Sequence, residues 1–219
     1  MRENYSKDYT GEFVVLKTII RKGKKEQVRE WLPSPITNQH ISDRAAVILG
    51  EPSGKYFSLK NIQKHRGGHL GRQKLQTFGT ESTWNQIDMD FAACFDPNIL
   101  DEMIATAYST RTIVYSGTRR CISRPGHFYL LPYNPRLSDV AAAFYLAAFS
   151  EHKEVFVIGL DKQALDAKTI NQINRVIKTY KKTKFVFVVK HGDLLESKWR
   201  KNKNVSTVNE RQFVTHCDL

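Results

Sequence analysis

Apolar positions follow one rule up to about residue 43 and another after it. In the first part, "EFVVLKTII" (Glu12 to Ile20) and "EQVREWL" (Glu26 to Leu32) are short β-rich segments joined by "RKGKK". Gly23 in that joint accepts the positive φ of a tight turn, so the pair predicts a β-hairpin. "PSPITNQHISD" (Pro33 to Asp43) follows, and its two prolines cannot donate to a strand ladder. It reads as a connector.

From Arg44 onward, continuous apolar runs alternate with stretches of helical period. "AAVIL" (Ala45 to Leu49), bounded by glycine, suits a strand buried on both faces. "KLQTFG" (Lys74 to Gly79) is a weaker strand, and "MDFAACF" (Met89 to Phe95), "RTIVYSG" (Arg111 to Gly117) and "HFYLLPY" (His127 to Tyr133) follow it. "EVFVIGLD" (Glu154 to Asp161) and "KFVFVVKHG" (Lys184 to Gly192) are the most apolar of the series. Helices are expected over Ser58 to His65, Asp96 to Tyr108, Ser138 to Ser150 and Asp166 to Lys182. Ser58, Asp96 and Ser138 are good N-caps, and Pro97 fits the first helical position. Ile170, Ile173, Val176, Ile177 and Tyr180 form one face of the last helix. The tail "NVSTVNERQFVTHC" adds a short strand and helix. This alternation predicts an α/β, Rossmann-like fold: a mostly parallel sheet with helices on both faces, preceded by an N-terminal β-hairpin. The expected division is a hairpin and connector over 1–43 and the α/β domain over 44–219.

The chain has 219 residues, of which 41% are hydrophobic, enough for one sizeable core. No apolar run reaches the roughly 20 residues of a membrane helix, and the start lacks the apolar stretch of a signal peptide. The expectation is a cytoplasmic protein with no membrane partner. Cys94, Cys121 and Cys217 lie far apart, with no CxxC pair to suggest zinc or a disulfide framework. Cys94 inside "DFAACF" reads as a small buried residue. The net charge of +12 attracts polyanions and points to nucleic acid or a nucleotide as partner. Arg21, Lys22, Lys24 and Lys25 crowd the hairpin tip, either as a solvated turn or as a finger on a phosphate backbone.

In an open parallel sheet, ligands bind outside the carboxyl ends of the strands. The residues that follow the predicted strands are "GEPSGK", "GTES", "DPN", "SGTRR", "PYNPR", "GLDK" and "KHGD". Gly50 and Gly54 permit a sharp turn and close backbone approach, Ser53 offers a hydroxyl and Lys55 a charge. The spacing is neither a P-loop nor GxGxxG, so a plain βα turn stands beside phosphate binding. Ser116, Gly117, Thr118 and Arg119 form a second candidate anion site. Arg66, Arg72 and Lys74 sit in "HRGGHLGRQK", a glycine-rich cationic loop suited to nucleic acid or simply to solvent. His65 and His69 lack a third metal ligand, and no metal is expected. Asp96 and Asp161 end apolar strands and are the candidate catalytic carboxylates, although Asp96 is also a natural N-cap. No GxSxG elbow appears, and His127 and His191 have no evident orienting partner.

"AAVILGEPSG", "DFAACFDPN" and "EVFVIGLD" resemble, in order and spacing, the sialyltransferase-like group of Rossmann-type proteins, which includes bacterial sugar transferases and the pterin pyrophosphokinase-like family. The resemblance implies a nucleotide or nucleotide-sugar cofactor. It also implies that Gly50, Ser53 and Gly54 face phosphate and that Asp96 and Asp161 line the nucleotide pocket. Glu51 departs from the family's Asn-Gly-Pro-Ser-like loop by adding a negative charge. Three functions follow as expectations: a nucleotide-dependent, glycosyltransferase-like transferase, possibly acting on nucleic acid; a nucleic-acid-binding protein or nuclease, with Asp88, Asp90 and Asp96 as its candidate carboxylates; or a non-catalytic interaction protein on the same fold.

Overall fold

The computed structural model of the chain describes residues 1, 3–9, 11–33, 43–52, 56–65, 75–190 and 195–219. Strands β1 (Glu12–Arg21) and β2 (Lys24–Pro33) pair antiparallel as a sheet of their own. The turn is two residues long, with φ of 50° at Lys22 and 76° at Gly23. Two successive positive φ values define the turn whose twist matches a hairpin. The ladder runs one residue further than expected, through the Glu12–Pro33 pair. A proline is tolerated there because, among the described residues, β2 has no strand on its other side to receive an N–H.

The remaining strands are β3 (Arg44–Ile48), β4 (Gln76–Gly79), β5 (Phe91–Ala93), β6 (Ile113–Ser116), β7 (Tyr129–Leu130), β8 (Glu154–Ile158), β9 (Lys184–Val188) and β10 (Val205–Val208). They form one sheet in the order β10-β9-β8-β3-β4-β5-β6-β7, and every pairing is parallel. This is the Rossmann-like α/β architecture the alternation predicts. Strand β5 is much shorter than the Met89 to Phe95 run. Its start is diverted because the Asp90 N–H donates to the Thr77 hydroxyl at 2.9 Å. Its end is diverted because the Phe95 and Asp96 N–H groups donate to the Glu81 carboxylate.

Helices α1 (Leu59–His65), α2 (Pro97–Ala105), α3 (Thr118–Ser123), α4 (Asp139–Phe149), α5 (Ala167–Thr179), α6 (Ser197–Arg200) and α7 (Glu210–Cys217) cover the sheet. Helix α2 stops short of the expected Tyr108 because Ala107 turns left-handed at φ 55°. Helix α3 was not expected, since "SGTRR" reads as a loop. The chain steps outward from β3 to β7, then returns to β8 and steps the other way to β10. With a fixed crossover hand, reversing direction moves the helices to the opposite face. Accordingly α1 and α7 share one core with Ala46, Ile48, Phe156 and Ile158, whereas α4, α5 and α6 share another with Ala45, Val47, Val155 and Val157. Helix α4 makes the return. Residues 141–149 are all buried, and a helix apolar on every side can only sit between a sheet and other elements. Its small residues Ala141, Ala142 and Ala143 let the backbone approach the strands, and Phe144 packs between Phe185 and Phe187. Truncating such a ring to Ala costs about 3–5 kcal/mol. No helix among the described residues is long and apolar enough to cross a membrane.

Candidate functional site

The strand order reverses between β3 and β8, and in open parallel sheets the crevice at the carboxyl ends of such a pair is where ligands bind. The last ladder bond there is Leu49 N–H to the Ile158 carbonyl, 2.9 Å. Beyond it the two chains meet as glycines. A Cβ on Gly159, whose φ is 70°, would stand 2.1 Å from the Gly50 carbonyl oxygen; a Cβ on Gly50 would stand 3.2 Å from the Gly159 carbonyl oxygen. Glycine here serves close approach, as the sequence suggests, but the approach is of one strand end to the other. The result is a rim of bare backbone at the switch point.

The residues after β4 brace that rim. Thr83 donates its hydroxyl to the Ile48 carbonyl and Ser82 to the Leu49 carbonyl, both at 3.2 Å. Between them, Glu81 accepts the Phe95 and Asp96 N–H groups, and its own N–H donates to Asp139 at 3.2 Å. Glu81 therefore ties the ends of β4 and β5 to the start of α4. Asp139 is half-buried. Burial pushes its carboxyl above the usual carboxylate range and the Glu81 charge adds to that, while the Val140 and Glu81 amides pull the other way. A partly buried carboxyl beside a like charge at a strand-end rim can exchange protons nearer neutrality. Sequence reasoning did not single out Glu81 or Asp139. Their signal was an acidic residue two positions past the strand-ending Gly79 and another opening an otherwise apolar helix.

The predicted residues fall into separate places. Asp96 caps α2, its Oδ1 accepting the Asn98 N–H at 2.8 Å and the Ile99 N–H at 3.2 Å, so the capping role anticipated beside the catalytic one is present. Asp161 stands exposed after β8 and accepts the Gln163 N–H at 2.9 Å. Gly50 and Asp161 thus share the switch point. Gly117, Thr118 and Arg119 lie at the same rim after β6, but three strand spacings from β3, roughly 14 Å away. Gly117 is the N-cap of α3, Thr118 accepts from Asn134 at 3.2 Å, and the Arg119 side chain is exposed. Ser116 is fully buried and its hydroxyl has no hydrogen-bond partner among the described residues, so it faces the interior rather than the rim. The "PYNPR" segment turns with Tyr133 and Asn134 both left-handed, and the Tyr133 ring packs on Tyr9 and Phe149. Ser53, Gly54, Lys55, Arg66, Arg72, Lys74, His69 and His191 lie outside the described residues.

Arg21, Lys22, Lys24 and Lys25 are all exposed at the hairpin tip. Asp88 pairs with Arg111 at 3.3 Å and Asp90 accepts from Thr77, so these carboxylates are held by protein groups. No group of His, Cys, Asp and Glu among the described residues is arranged to hold a metal ion. His127 meets the Ser109 hydroxyl at 3.2 Å. The thiols are buried, as Cys94 was expected to be; burial raises Cys94 and pushes Cys121 up to about 12, which leaves both unreactive. No protein-family model, curated protein or solved structure matches this chain significantly.

Proposed function

We propose that the chain is a nucleotide-dependent transferase of glycosyltransferase type, with its donor held at the β3–β8 rim. The observation that carries this reading is the switch point itself, where Gly50 and Gly159 leave backbone rather than side chains at the strand ends. Backbone amides free of a Cβ suit an anionic oxygen, and the exposed Asp161 beside them suits a ribose hydroxyl. The Glu81–Asp139 pair supplies the base. In the transfer, the acceptor oxygen bonds to the donor carbon, the bond from that carbon to the leaving phosphate breaks, and the acceptor proton passes to the Asp139 carboxylate. The resemblance of the strand-end motifs to sugar transferases supports the same class. Titration calorimetry with nucleoside diphosphates and nucleotide sugars tests it. Saturable binding that weakens in Asp161→Asn is expected, and no heat from any of them contradicts it.

A second reading, nucleic acid as acceptor or as sole partner, is favoured by the hairpin. Its outer half stands in solvent, with Leu16 and Ile20 67% and 76% exposed behind the basic tip. A two-stranded ribbon of that kind fits a duplex groove.

A further inference from the structure

The edge of the sheet opposite the rim carries a feature that neither reading uses. Helix α5 ends there at Thr179, and the turn from α6 into β10 ends beside it. Between them lies a cleft of about 640 Å³ lined by Lys178, Lys181, Lys201, Asn202, Lys203 and Asn204. The four lysines are exposed, and none has an ion-pair partner among the described residues. Glu154, the carboxylate at the start of β8, is already engaged by Lys184 at 3.1 Å and His216 at 2.8 Å.

Lysines near a helix C-terminus ordinarily answer its unsatisfied carbonyls. Here side-chain amides already answer some of those carbonyls. The Asn204 amide donates to the carbonyls of Ile177, Tyr180 and Thr183 at 3.0–3.1 Å, and the Asn202 amide donates to those of Lys198 and Trp199 at 3.0 Å. The Asn204 bonds, with one from the Asn202 amide to the Asn174 side-chain oxygen at 3.1 Å, tie the two walls together, so the four lysines stand on joined backbone around one hollow. Four like charges in that arrangement repel one another, and a bound anion relieves the repulsion.

We infer that this cleft binds the phosphodiester backbone of a nucleic acid. Lysine is a point charge suited to phosphate oxygens, and a ring of four suits a ligand with several phosphates in a row. Among the described residues the lining holds no aromatic ring on which a base could stack, so binding here is independent of sequence. A nucleic acid is favoured over a bilayer because the site is concave and, among the described residues, no exposed large apolar side chain borders it. The inference does not rest on the transferase reading, since the cleft lies at the other edge of the sheet.

The test is fluorescence anisotropy with a labelled single strand of thymidines, about 20 nucleotides long, titrated at several salt concentrations. The variants are K178Q/K181Q/K201Q/K203Q, the double K178Q/K203Q, and R21Q/K22Q/K24Q/K25Q, which removes the same charge from the hairpin. If each lysine meets one phosphate, the slope of log affinity against log salt falls by about 3 in the cleft quadruple and about half that in the double; the wild type loses roughly 50-fold more affinity than the quadruple between about 50 and 200 mM salt. Melting should show the quadruple at least as stable as wild type at low salt. An unchanged slope in both cleft variants overturns the inference. So does an equal loss in the hairpin variant, which would make the cleft no more than one basic surface among others, or an equal loss of binding to phosphatidylserine vesicles, which would make the cleft a lipid surface. Nucleotide calorimetry on the same quadruple keeps the two proposals apart, because a failure at the rim leaves these slopes untouched.

Discussion

At the carboxyl rim the converging groups are backbone, hydroxyls and the carboxylates Glu81, Asp139 and Asp161, whereas at the amino edge beside β9 and β10 they are Lys178, Lys181, Lys201 and Lys203. Both edges are braced by side chains that bond to backbone. At the rim, Ser82, Thr83 and Glu81 tie strand ends to one another; at the other edge, Asn204 ties a helix end to a strand start. The difference lies in what is left over. The rim leaves bare backbone and acidic groups, suited to one small ligand and a proton transfer. The amino edge leaves uncompensated positive charge, suited to an extended polyanion. Parallel strands make such a division natural, because every carboxyl end falls on one side and every amino end on the other.

The largest expected effect breaks the rim. Gly159→Ala must fit a Cβ at 2.1 Å from the Gly50 carbonyl oxygen at a φ of 70°, so β3 and β8 have to part at their ends. The expected loss is about 3 kcal/mol or more by urea denaturation, with nucleotide binding lost as well. Gly50→Ala, at 3.2 Å, should cost clearly less. If the two variants are equally mild, the strand ends are not tightly apposed.

Next in size is the brace of the amino edge. Asn204→Ala leaves the carbonyls of Ile177, Tyr180 and Thr183 without that donor, at a cost of about 2 kcal/mol. It should also blunt the salt slope for a nucleic-acid strand, because the cleft walls loosen.

Glu154 comes third. Burial would raise its carboxyl, but hydrogen bonds from His216 and Lys184 hold it below the usual carboxylate range. Its stabilisation is therefore present above the unfolded-state value and is lost as pH falls through the lower folded value. Glu154→Gln should cost up to about 1 kcal/mol at neutral pH and little at the acid end, read from urea midpoints across pH.

Asp139 gives the smallest stability effect and the opposite sign. Its folded-state carboxyl is raised, so it contributes stability at low pH that is lost as pH rises from the ordinary aspartate range through the higher folded value. Asp139→Asn should flatten that decline by less than about 1 kcal/mol. A profile unchanged from wild type would remove Asp139 as the rim's proton acceptor.

Much of the frame was legible in the chain. The Lys22–Gly23 turn, the Asp96 and Ser138 caps and the apolar run of α4 are local signals, each legible from neighbouring residues. Strand β5 was overestimated because its amides are captured by Thr77 and Glu81, partners 13 to 15 positions away. The Glu81–Asp139 contact spans 58 positions and has no local signature. The lysine cleft was hidden for the same reason, since "KTYKK" and "KNKN" each read as an ordinary solvated run until the sheet brings them together.

Hydrogen–deuterium exchange with a saturating nucleoside diphosphate or nucleotide sugar reads ligand binding at the rim amide by amide. Exchange should slow at the amides around Leu49–Glu51, Thr80–Thr83 and Gly159–Asp161, with no change over Lys198–Val205. Protection confined to the amino edge, or none at the rim at any nucleotide concentration, would contradict the donor site proposed at the rim.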